Sequence, residues 1–133
     1  MRRWRCFTIT GYTILELMIV VAIAGILITL AIPSFQRSAI KAKEAALKQN
    51  LFTIRTVIDQ YYADRGTYPP TLNTLVEKGY LREIPIDPFT QSATTWQIVY
   101  EEQEEYEGEP AGVYDVKSGS DQIALDGTRY SEW

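Results

Sequence analysis

Glu16 is the residue in this chain whose setting most needs an explanation. It stands at the head of an apolar run that continues from Leu17 to Phe35 without a single charged side chain. A carboxylate carried into a membrane costs on the order of 2.5–3.5 kcal/mol even on lenient insertion scales, so a passive anchor gains nothing from one. The chemistry open to such a group is ion pairing in a medium of low dielectric constant. No Lys or Arg occurs between Tyr12 and Gln36. The one cation within reach is a new α-amino group, made if the chain is cut just before Tyr12. Tyr12 and Glu16 are four residues apart, a spacing that puts them on one face of a helix. Either the pair closes within one chain, or the carboxylate meets the ammonium of a neighbouring copy. The second arrangement turns a burial cost into a docking register, with a polymer as its physical consequence.

Few other residues could do chemistry. The chain has no His, which removes the commonest general base and the commonest transition-metal ligand together. Cys6 is the only cysteine, so no intramolecular disulfide forms and no Ser-His or Cys-His nucleophile system can be drawn. The expectation is a protein that is not an enzyme. A net charge of −4 is unevenly spread: Arg2, Arg3 and Arg5 precede the apolar run, whereas eleven acids beyond Ile86 face only Lys117 and Arg129. Phosphate backbones need clustered Lys and Arg, so no nucleic-acid partner is expected.

The elements that must position Glu16 come next. Tyr12 to Ile32 is 21 residues, about 32 Å as a helix, against a hydrocarbon core of about 30 Å. The preceding arginines orient the N-terminus toward the cytoplasm, which leaves everything after Pro33 outside the inner membrane. An ordinary signal peptide is the plainer alternative. Such peptides have an apolar region of about 7–15 residues and a small-x-small cleavage site; here the run is longer, and "TLAIPSF" offers no clean site.

Past Pro33 a helical pattern resumes, with apolar residues at Ile40, Leu47, Leu51, Ile54, Ile58 and Tyr61. This is read as a core stripe, with Lys41, Lys43, Glu44, Lys48 and Arg55 on other faces, and Gly66, Pro69 and Pro70 ending it. Thr71 to Lys78 reads as a short helix presenting Leu72, Leu75 and Val76, with Gly79 placed to end it as a C′ glycine. "YLREIPIDPFT" is a proline-punctuated loop. Trp96 to Tyr100 and Val113 to Val116 read as strands. Between them "EEQEEYEGEP" carries six glutamates in ten residues and reads as a solvated, self-repelling hairpin loop.

"GYTILELMIVVAIAGILITLAIPSF" resembles the N-terminal signature of type IV prepilins and type II secretion pseudopilins. In that family a prepilin peptidase cuts after the glycine and methylates the new first residue. The resemblance therefore implies cleavage after Gly11 and N-methylation of Tyr12, although the family usually has Phe there. It assigns to Glu16 the alignment of incoming subunits, to Pro33 the helix interruption, and to Gly25 a place where the helix loosens in the filament. Gly and Pro do weaken helix interiors. The leader "MRRWRCFTITG" would take Cys6 with it.

The order of elements resembles the pilin α/β-roll, an α+β fold with a long N-terminal helix packed on a small antiparallel sheet. The implied domains are a cleaved leader at 1–11, a transmembrane and polymerisation helix at 12–33, and a periplasmic globular domain at 34–133. "TYPPTLNTLVEKGYLREIPIDPFT" and the tail "YDVKSGSDQIALDGTRYSEW" resemble the major pseudopilin of type II secretion. That likeness implies a subunit of a pseudopilus growing from the inner membrane to drive protein export; a type IV pilin of a surface filament is the alternative. It also implies the partners: further copies in a homopolymer, minor pseudopilins, the prepilin peptidase, an inner-membrane assembly platform, and membrane lipid before assembly. Major pseudopilins bind calcium near the C-terminus, and Ser118, Asp121 and Asp126 are the side chains that align. Calcium takes six to eight oxygens, and "QIAL" stands where the family often has glycines and further acids. Asx and Gly turn chemistry accounts for these residues equally well.

Overall fold

The computed structural model describes residue 11, residues 13–102 and residues 111–133. Expectations for the leader, for Tyr12 and for most of the glutamate-rich stretch therefore fall outside the described residues. The elements are α1 (Ile14–Arg65), α2 (Leu72–Glu77), β1 (Gln97–Tyr100), β2 (Val113–Lys117) and a closing 3₁₀ turn, η1 (Tyr130–Glu132). The chain divides into two units, one ending at Ser38 and the other Ala39–Trp133, with the boundary inside α1.

In the first unit, every described residue from Thr13 to Ser38 is exposed. The helix is apolar enough to cross a membrane, with a mean hydropathy of 2.7 over 18 residues and none of that window buried. Within this unit nothing among the described residues covers it, and an apolar surface of that extent calls for lipid or another protein.

The second unit is an α+β roll around one core. Leu47, Leu51, Ile54, Ile58 and Tyr61 of α1 pack with Leu72 and Leu75 of α2, with Trp96 just before β1, with Val113 and Val116 of β2, and with Ala124 and Tyr130 beyond them. Ile40 does not join them; it is 37% exposed, about two helical turns before Leu47. The short helix opens on Thr71, whose hydroxyl accepts from the Thr74 amide. It closes on Gly79 at φ +80°, with Gly79 N donating to Val76 O and Tyr80 N to Leu75 O, the paired bonds of a Schellman cap. The strands are antiparallel, pairing Gln97 with Lys117, Ile98 with Val116, Val99 with Asp115 and Tyr100 with Val113. Tyr114 is the extra residue of a bulge, which bends the strand and re-aims its side chain.

Candidate functional site

The start of α1 is built by Thr13. Its Oγ1 accepts from the Glu16 amide at 3.2 Å, and its carbonyl accepts from the Leu17 amide at 3.1 Å. Thr-x-x-Glu before an apolar run is the sequence mark of a capping box. Sequence reasoning took up the spacing of Glu16 from Tyr12 and missed this signal, although it was there to read. The cap sets Glu16 in the first turn, where the positive end of the helix dipole favours a carboxylate by about 0.3–1 kcal/mol. Against a membrane cost of about 2.5–3.5 kcal/mol, that leaves roughly 2 kcal/mol to be met by a full positive charge. Gly11 is exposed, and a Cβ there would meet nothing within 4 Å. No contact among the described residues requires a glycine at that position.

Gly25 and Pro33 do not interrupt α1, which is assigned as one helix through both. A proline removes one backbone bond and strains one turn, and the neighbouring turns hold. The weakness is still concentrated. Pro33 lacks the amide that would serve the Thr29 carbonyl, and the Thr29 hydroxyl donates to Gly25 O at 2.8 Å. Gly25, Thr29 and Pro33 are thus successive positions on one side of the helix, and Thr back-bonding of this kind favours a bend. The expected break is a seam in an intact helix.

The three residues expected to hold calcium have other work. Ser118 is fully buried, and its hydroxyl donates to Asp87 Oδ2 at 2.5 Å. Asp126 Oδ1 accepts from the amide and hydroxyl of Thr128 at 2.9 and 2.6 Å. Those bonds, the hydroxyl first, hold the Asp126 carboxyl below the usual carboxylate range. Asp121 is exposed. The carbonyls of Gln122, Ala124 and Thr128 accept from Tyr130, Gly127 and Ala124, which closes the loop as a tight hairpin with an Ile123–Arg129 bridge. No three His, Cys, Asp or Glu gather into a metal-binding group among the described residues. Ser118, Asp121 and Asp126 as arranged here do not fit a calcium cage.

Three charged residues that the sequence did not single out hold this region instead. Asp87 is fully buried; besides Ser118 it accepts from the amides of Phe89 and Gly119 at 2.8 and 3.3 Å. Gly119 must be glycine, since a Cβ would run into the Thr95 carbonyl. From α1, Glu44 Oε1 accepts from Leu125 N at 2.8 Å and from the Tyr130 hydroxyl at 2.9 Å. Burial, reinforced by that bond to Glu44, pushes the Tyr130 phenol up to about 12. Arg55 pairs with Asp115 at 2.7 Å and donates to the carbonyls of Val116 and Trp133 at 3.0 Å each. Only Asp87 left a trace in the sequence, as an acid held between Pro85 and Pro88.

A capped apolar helix with one acid in its first turn, continuing into the core of a small α+β roll, defines a pilin-like subunit. Comparison with known proteins makes this specific. The chain is 33% identical over 96 residues to the type II secretion system core protein G of Pseudomonas aeruginosa, covering 60% of this chain and 68% of that one. It is 30% identical over 95 residues to the protein of the same name from Klebsiella michiganensis, covering 59% and 67%. With that of Vibrio cholerae it shares 32% over 95 residues, covering 60% and 65%. No family model matches the chain, and no solved structure does. The chain belongs to the type II secretion system core protein G family.

Proposed function

We propose that this chain is a structural, non-enzymatic subunit of a type II secretion pseudopilus. A prepilin peptidase cuts it after Gly11 and methylates Tyr12. It waits in the inner membrane as a single-pass protein, N-terminus cytoplasmic and roll periplasmic, and an assembly platform polymerises it together with minor pseudopilins. The observation that carries this reading is the uncovered apolar half of α1 with one carboxylate in its capped first turn. In lipid that carboxylate is short of roughly 2 kcal/mol, which the α-amine of an adjoining copy supplies.

Mass spectrometry of the protein in assembled filaments tests it. The expected first residue is N-methylated Tyr12; residues ahead of Tyr12 in assembled material would exclude the pairing. Glu16→Ala is expected to be cut normally and to yield no filaments by electron microscopy.

A further inference from the structure

The C-terminal hairpin presents an apolar side that the roll leaves uncovered. Ala124 is buried in the core, whereas its neighbours Ile123 and Leu125 are 67% and 50% exposed. Alternation along an extended chain puts those two on the same side, opposite Ala124. Arg129 stands across from Ile123 in the bridge that closes the hairpin, so its side chain shares that side; it is exposed. The tip is fixed to α1 where Glu44 Oε1 accepts from Leu125 N. Lys41, also exposed, lies one turn before Glu44 on the same helix face. Two large apolar side chains with cations beside them have the chemistry of a membrane-interface contact. The apolar pair enters the headgroup boundary, and the cations meet lipid phosphates.

Charge and tether select lipid as the occupant. Beyond Ile86 the chain carries eleven acids against Lys117 and Arg129, so an anionic bilayer repels most of the roll. Cations collect at this end. Lys41, Lys43 and Lys48 stand within about one turn of Glu44 on α1, and Arg129 joins them from the hairpin. Glu44 is engaged by Leu125 and Tyr130. Asp121 and Asp126 oppose the cations, the latter with its carboxylate bonded to Thr128. Lys41 also comes six positions after Phe35, where the uncharged apolar run ends. That is about 9 Å of helix, against about 5–8 Å of headgroup region on each face of a bilayer. A lysine side chain spans the difference by reaching toward the phosphates. A cationic cluster this near a membrane-spanning stretch is drawn to anionic lipid.

We propose that Ile123 and Leu125, with Lys41 and Arg129, rest on the anionic lipid surface around the anchor before assembly. The roll thereby has a second, peripheral membrane contact, which breaks when the subunit leaves the bilayer for the filament. The inference rests on the pseudopilus reading and deepens it by naming what holds the waiting roll.

NMR of the full-length chain in nanodiscs of phosphatidylethanolamine and phosphatidylglycerol, doped with a lipid that carries a nitroxide at its headgroup, tests it. The amides of Ile123, Leu125 and Arg129 are expected to relax at least about fivefold faster than those of Asp64 and Arg65, about 35 Å further along α1 than Lys41. Replacing the mixture with phosphatidylcholine, which needs no variant, lowers that ratio at least about twofold. Lys41→Glu with Arg129→Glu does the same at an unchanged unfolding midpoint, as does Ile123→Ser with Leu125→Ser; Lys41→Arg keeps the ratio. Equal relaxation at the hairpin and at Asp64, or a hairpin effect indifferent to lipid charge, overturns the contact and leaves the pseudopilus reading standing. Absence of any lipid contact over residues 14–32 overturns both.

Discussion

The two parts of α1 obey opposite rules. Up to Ser38 its described side chains are exposed, Leu30 to 70% and Phe35 to 81%. From Leu47 to Tyr61 the apolar residues at helical spacing are buried to 6% or less. Both stretches are helical and rich in Leu and Ile, so their apolar residues alone do not separate them. The difference lies in what surrounds the apolar stripe. The later stretch carries Lys48, Arg55 and Asp59 on its other faces and packs on its own roll. The earlier stretch is apolar all round, the pattern of a helix buried in something larger than itself. One is stable on its own terms; the other is finished only by lipid or by neighbours.

Breaking the self-sufficient part should give the largest effect. Asp87→Ala leaves the Ser118 hydroxyl and the amides of Phe89 and Gly119 without their acceptor, and should cost about 3 kcal/mol or more in denaturant unfolding of the detergent-solubilised chain. Mending the other part comes next. Pro33→Ala restores the amide facing Thr29 and should strengthen the helix locally by about 3 kcal/mol, read as slower amide exchange around Thr29, with the unfolding midpoint of the roll unchanged. A smaller loss, about 1–2 kcal/mol, is expected for Glu44→Gln, which keeps the shape but weakens charge-assisted bonds to Leu125 and Tyr130. In the same assay, chelator and added calcium should leave the wild-type midpoint where it is; a calcium-dependent rise would show that the C-terminal loop rearranges around metal.

The smallest effect is one of pH. The Tyr130 phenol lies at about 12 in the fold against an ordinary 10.0, so the folded state holds a proton that the unfolded chain gives up first. That contribution is fully present below pH 10 and is lost as pH rises toward 12. Alkaline titration of stability should fall across this window, and Tyr130→Phe should flatten the fall.

Much of this was legible in the residues. The stripe from Leu47 to Tyr61 has the helical period, Gly79 stops α2 where a left-handed residue is needed, and the strands fall within one residue of where alternation places them. Ile40 shows the limit: it has the right spacing, but the roll does not reach that far. A lone carboxylate at the head of an apolar run marks Glu16 by charge alone, while Thr13, which caps the same turn, carries no charge and shows only through the Thr-x-x-Glu spacing. The C-terminal loop was open to two readings for a different reason. Ser, Asp and Gly at turn spacing are shared by calcium loops and plain hairpins. What neither pattern shows is Glu44, which reaches the loop from 81 positions earlier, a distance over which local pattern carries no information.

That span bears on how the roll forms. Arg55 reaches Trp133 across 78 positions and Glu44 reaches Tyr130 across 86. Contacts so remote along the chain must overcome a large loop-closure entropy before they return any stabilisation, which slows folding. Until the tail docks, part of the stripe on α1 lies open to other chains. For the proposed polymer built through this helix, the interval between emergence of α1 and arrival of η1 is when wrong partners have their opportunity.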